Sequence, residues 1–166
     1  MINTESWLIA YSFLGLVGGY FLSKISPEEM KPGKRYFNYG KILLLILMIL
    51  AGIVYGVSYL NRFVFISAVI GLFLGLYFDK IFLILALGLS FISENILFAS
   101  LIFIYGLLEG SVKYKEGFLW KEGLWFLVPS VLVLLFSLTS KIDADLIISL
   151  VIGYVLAYAY KLSFNR

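Results

Sequence analysis

Seven uncharged apolar runs follow one another with little between them: 6–23, 42–60, 63–78, 81–93, 96–108, 124–139 and 146–160. Hydrocarbon offers no partner to a free peptide group, so runs of this kind fold as helices that bond their own backbone. Only 14% of the chain is charged and 62% is apolar. A water-soluble domain is about a quarter charged and half apolar. The expected fold class is therefore all-α, a polytopic transmembrane bundle of seven spans in one integral membrane domain over 1–166. Its obligatory partner is the lipid bilayer. The start, with Trp7 and Tyr11 near one end of the first run and Tyr20 near the other, reads as a retained span with an aromatic belt; it lacks the basic region and cleavage site of a signal peptide.

Between the runs lie polar stretches. Ser26-Pro27-Glu28-Glu29 is a helix-start pattern with proline at the first position, and Pro32-Gly33 is expected to stop that helix. Asn61-Arg62 and Asp79-Lys80 read as tight turns. The stretch 110–123 is a second polar loop whose Phe118, Leu119 and Trp120 can dip into an interface. Pro129 falls inside a run, where proline is tolerated.

Orientation follows from the cations. With seven spans, one side holds Lys24, Lys31, Lys34, Arg35, Lys41, Lys80, Lys113, Lys115, Lys121, Lys161 and Arg166, and the other only Arg62 and Lys141. Cytoplasmic loops carry the Lys/Arg excess. The N-terminus is expected outside and the C-terminus in the cytoplasm, at the cell membrane. A single long span over 81–108 destroys this bias. A re-entrant hairpin over 81–108, giving six elements, preserves it equally. The basic balance is accounted for by membrane orientation, so a nucleic-acid partner is not expected.

Glycine spacing gives a packing code. Gly15/Gly19, Gly52/Gly56, Gly71/Gly75 and Gly106/Gly110 are four Gly-xxx-Gly pairs, and Gly153/Ala157 is a fifth small pair. Such pairs let helix backbones approach closely in lipid, within one chain or between chains. They also recur. Residues 65–75 align without gaps to 147–157, matching Ile66/Ile148, Ser67/Ser149, Gly71/Gly153 and Leu74/Leu156 among others. Gly15, Gly19 and Lys24 match Gly106, Gly110 and Lys115 in spacing. Residues 6–78 and 94–160 would then be two parallel three-span units joined by 81–93. This 3+1+3 plan resembles, in organisation, the SWEET and PQ-loop transporters. The resemblance implies a site near the midplane between the repeats. Their Pro-Gln signature is absent here, since Pro129 is followed by Ser130.

Candidate polar sites are few. Glu94 and Asn95 stand between two arms of 13 residues, roughly 20 Å each, against a hydrocarbon core of about 30 Å. A carboxylate drawn into hydrocarbon costs about 2.5–3.5 kcal/mol and marks an ion, proton or amine site. The plainer reading makes Ser93 and Glu94 the cap of the next helix at the outer surface. Glu109, between Gly106 and Gly110, reads as a charge at a helix end and as a further ion- or substrate-binding candidate. Asp143 and Asp145 read as a solvated helix start, with a divalent cation as the alternative.

There are no cysteines and no histidines. Thiol nucleophiles, imidazole bases and the usual zinc ligands are therefore excluded. No phosphate loop, metalloprotease motif or nucleophile elbow occurs. No metal and no cofactor are expected, and catalysis is not favoured. The expectation is a small-solute or ion transporter. The alternatives are a structural or assembly subunit, binding itself or other membrane subunits, and a membrane-embedded lipid-modifying enzyme whose Lys34, Arg35, Lys113 and Lys115 attract anionic headgroups.

Overall fold

The computed structural model describes residues 4–56, 62–91, 96–112, 122–124, 128 and 144–164. The protein is all-helical, with six long described helices: α1 (Thr4–Ile25), α2 (Pro27–Gly56), α3 (Arg62–Tyr77), α4 (Ile81–Phe91), α5 (Ile96–Val112) and α6 (Ala144–Phe164). Residues 122–124 are also helical. Two helices, over Pro32–Val54 and Ala144–Phe164, are long and apolar enough to cross a membrane, and α3 and α5 are shorter apolar helices. Large apolar side chains cover the outside, among them Phe65 at 72% exposure and Val54 at 70%. A contiguous apolar exterior on this scale marks a lipid- or protein-facing surface.

Two tight parallel pairs organise the bundle. In the first, α1 lies along α5. A Cβ built on Gly15 would overlap the Phe103 carbonyl, and one on Gly19 the Leu107 carbonyl. From the other side, a Cβ on Gly106 would lie 2.8 Å from the Leu16 nitrogen, and one on Gly110 2.6 Å from the Leu16 oxygen. The two backbones touch because each is missing side chains where the other approaches. Serines at either end complete the seam. Ser12 Oγ donates to the Ala99 carbonyl at 3.2 Å, and Ser111 Oγ donates to those of Leu107 and Gly19 at 2.8 and 3.3 Å.

In the second pair, α3 lies along α6. Gly71 packs on the Leu150 carbonyl and Gly153 on the Ala68 carbonyl, a reciprocal contact. A Cβ on Gly75 would lie 2.6 Å from the Tyr154 oxygen and 2.8 Å from the Ala157 Cβ. Ser67 Oγ donates to Leu146 O across this seam at 2.5 Å.

α2 and α4 run the opposite way and join the pairs. Gly40 meets Leu108 near one end of α2, and Gly52 meets Ile152 near the other. Phe82 of α4 packs on Tyr105 at 5.8 Å between ring centroids, and Gly88 reaches Val151 and Phe98. α4 is the most enclosed helix, with Ile81, Phe82, Ile84, Leu85, Ala86 and Leu89 all buried. The non-helical residues 78–80 that precede it are stapled to α6. Tyr154 donates to the Phe78 carbonyl at 2.6 Å and accepts from the Lys80 backbone N–H at 2.8 Å. Lys161 bridges Asp79 at 2.6 Å just outside. These directions bring Lys24, Lys34, Arg35, Lys41, Lys80 and Lys161 to one end of the bundle, called here the basic end, and Arg62 to the other.

Two sequence expectations are corrected. The helix does not stop at Pro32-Gly33; α2 runs unbroken from Pro27 for 30 residues. Proline at 32 deprives only the Glu28 carbonyl of its helical partner, and both residues are exposed, so water can take its place. The Phe37 ring lies against Gly33, 3.0 Å from where a Cβ would be. The second difference concerns Glu109, which lies in the last described turn of α5 but is not an exposed charge. α5 continues beyond 108 to Val112, and the side chain is buried.

Candidate functional site

Glu109 sits on the packed stripe of α5. Phe98, Ile102, Tyr105 and Glu109 recur at helical spacing and all are buried. Lys41 occupies the same kind of position on α2, in line with Leu44, Leu45, Met48 and Ala51. Because α2 is helical from Pro27, Lys41 is held in the bundle and not in a loop. The two stripes face each other. Lys41 Nζ donates to Glu109 Oε2 at 2.9 Å, with side-chain exposures of 2% and 1%.

Several polar groups lie near the pair. Tyr105, one turn before Glu109, has a fully buried hydroxyl with no partner at hydrogen-bonding geometry among the described residues. The Tyr158 side chain of α6 lies close enough to interact with it, and the Glu109 and Glu122 carboxylates act on it through space. Lys41 and Glu109 are the only buried charged side chains among the described residues. The pair lies inside the basic end. Gly110 packs on Leu16 and Tyr20, more than a turn before α1 ends at Ile25.

Such a pair is costly to build. Each ion loses several kcal/mol of hydration on burial, and the mutual attraction recovers that only with good geometry. Apolar residues of similar volume often do the structural work as well or better. What the arrangement can do chemically is hold one proton or one counter-ion: the carboxylate can take a proton, and the ammonium keeps further N–H donors for another acceptor.

On the opposite side of this layer is an apolar cleft lined by Met48, Gly52, Phe98, Ile148, Val151 and Val155, with no polar lining. Glu94, Asn95 and Asp143 lie outside the described residues, as do most of 124–139 and 113–121. Ile96, the first described residue of α5, is one turn before Ala99, whose carbonyl bonds Ser12; it is therefore level with the second turn of α1. Asp145 is in the first turn of α6. Among the described residues no group of three acidic, His or Cys side chains could hold a metal. The glycines Gly15, Gly19, Gly71, Gly75, Gly106, Gly110 and Gly153 all face a neighbouring helix of the same chain within 4 Å, and Gly52 faces Ile152.

Sequence reasoning overlooked Lys41, counted there only among the cations of one side. The signal was present: Lys41 is in helical phase with Leu45 and Met48, as Glu109 is with Ile102 and Tyr105. Comparison with protein-family models, with curated proteins and with solved structures finds no match to this chain.

Proposed function

We propose that the chain is a multi-pass integral membrane protein that carries a small solute or ion, with Lys41 and Glu109 at its polar site. The observation that carries this reading is the 2.9 Å ion pair at 2% and 1% exposure. In a membrane bundle, ionisable residues that face the interior mark ion, proton or substrate pathways. The apolar exterior supports the membrane setting, and the gathering of described cations at one end supports an orientation with that end in the cytoplasm. Seven spans follow if 124–139 crosses as well. The reciprocal contacts of Gly71 and Gly153 support reading 6–78 and 94–160 as two parallel units, with α4 between them. Parallel repeats are an established transporter plan.

Among the sequence candidates, Glu109 takes the central role ahead of Glu94 and Asn95. The assembly-subunit reading loses part of its motive, because the glycine faces are already used inside the chain. A lipid-modifying enzyme has no supporting constellation among the described residues.

The test is flux through purified protein in liposomes, followed with trapped pH- and ion-sensitive dyes. Flux above that of empty liposomes, lost in Lys41→Gln, is expected. Wild-type protein that is folded and inserted but passes none of the common monovalent ions or small acids would remove the proposal.

A further inference from the structure

We propose that the outer face of α2 at the basic end seats one anionic phospholipid, with Arg35 on its phosphate, Tyr39 level with its ester groups and Leu43, Ile46 and Leu50 along an acyl chain. This rests on the membrane setting of the reading above and not on transport.

One stripe of α2 carries the argument. Arg35, Tyr39, Leu43, Ile46 and Leu50 follow one another at steps of three or four residues, which places them on one face of the helix. All five are exposed. The opposite face, with Lys41, Leu44, Leu45 and Met48, is the one buried in the bundle. Going inward, the exposed stripe changes from guanidinium to phenol to aliphatic. A phospholipid presents phosphate, ester and tail in the same order.

The lengths agree as well. Tyr39 to Leu50 covers about 16 Å of helix, against about 15 Å for half of the hydrocarbon core. Arg35 stands about 6 Å further out, among the headgroups. Phenol rings favour that boundary, and Tyr36 is exposed beside the stripe at the same end.

Charge is the second, independent observation. Lys34 and Arg35 are exposed and make no ion pair among the described residues. Other cations of the basic end are engaged: Lys41 holds Glu109, and Lys161 holds Asp79. Glu28 and Glu29 precede Lys34 and Arg35 by more than the three or four residues at which helix neighbours pair. The outer end of the stripe therefore offers positive charge with no internal counter-charge. A planar guanidinium binds phosphate through two parallel N–H donors. Lys34, on the neighbouring position, adds to the field. A headgroup that carries its own ammonium gains less from this, so the occupant is a lipid of net negative charge. A soluble phosphate would meet Arg35 but leave the aliphatic stripe below it unused.

The experiment titrates detergent-purified, delipidated protein with phosphatidylglycerol or phosphatidylcholine of the same acyl chains in mixed micelles, reading the thermal unfolding midpoint. Phosphatidylglycerol is expected to bind about tenfold more tightly or better. A cation at an anionic lipid surface contributes about fivefold, so Arg35→Gln should cut the preference by about that factor. Arg35→Lys should cut it less, and neither variant should shift the midpoint in phosphatidylcholine. Lys161→Gln removes the same charge from the same end, but from a cation already paired with Asp79, and should leave the preference unchanged. Equal binding of the two lipids by the wild type overturns the inference. An equal loss in Arg35→Gln and Lys161→Gln also overturns it, because the preference would then be a diffuse surface potential. Glycerol 1-phosphate bound through Arg35 as tightly as the lipid would make the occupant a soluble phosphate and reject the lipid. Alkaline extraction of cell membranes tests the setting separately. Protein that stays in the membrane pellet but shows no lipid preference keeps the membrane reading and rejects this seat; protein released by alkali that still prefers phosphatidylglycerol does the reverse.

Discussion

Tyr154 and Lys41 show how single side chains set this structure. The Tyr154 hydroxyl satisfies both the Lys80 N–H and the Phe78 carbonyl, at the point where the chain turns from α3 into α4. Tyr154→Phe removes both partners and is expected to cost about 1–3 kcal/mol, the desolvation cost of a stranded backbone group. The measurement is unfolding in mild detergent against an SDS gradient; an unchanged midpoint would mean water takes over. Lys41→Met or Glu109→Gln alone breaks the buried ion pair and should cost about 3–5 kcal/mol, whereas Lys41→Met with Glu109→Leu should lie near the wild type. The pair was half legible in the sequence. Glu109 stood out as a charge between two glycines, but a charge close to a polar loop reads as exposed. Its depth became clear only once α5 was seen to extend to Val112 and α2 to begin at Pro27.

At the scale of elements, helix separation is set by glycine. Gly15, Gly19, Gly71 and Gly153 each have a neighbouring backbone where a Cβ would go, whereas a Cβ on Gly18 would only touch the Leu107 side chain at 4.0 Å. Alanine at Gly71 or Gly153 is expected to destabilise by about 1–3 kcal/mol or more, since a backbone cannot rotate out of the way. Gly18→Ala should be neutral or stabilising by up to about 1 kcal/mol through helix propensity. Equal effects at Gly18 and Gly71 in the same unfolding assay would refute this account of the seams. The glycine spacing was readable in advance, but which pair meets which was not. Gly15 and Gly19 meet the α5 stretch that holds Gly106 and Gly110, and that choice depends on helix directions no local pattern encodes. The Pro32-Gly33 stop was misread for a related reason. Punctuation residues weaken a helix by local amounts, and an exposed second turn tolerates that loss.

For the whole molecule, the apolar exterior and the basic end were both legible from composition and from the spacing of charges. The arrangement of helices was not, because apolar runs of similar makeup can exchange places without changing a hydropathy profile. The absence of cysteine makes topology testable on a clean background. In intact cells, Asn95→Cys is expected to react quickly with a membrane-impermeant thiol reagent added outside, since Ile96 is level with the second turn of α1. Arg35→Cys, at the basic end, should react only after permeabilisation. The reverse pattern would invert the proposed orientation. The central claim is that the buried Lys41–Glu109 pair is kept for transport and not for stability. Its most direct test is the Lys41→Met/Glu109→Leu variant in liposomes, with stability and flux measured on the same preparation. The account predicts a folded protein of near wild-type stability and no flux above empty liposomes. Wild-type flux through that variant would contradict it.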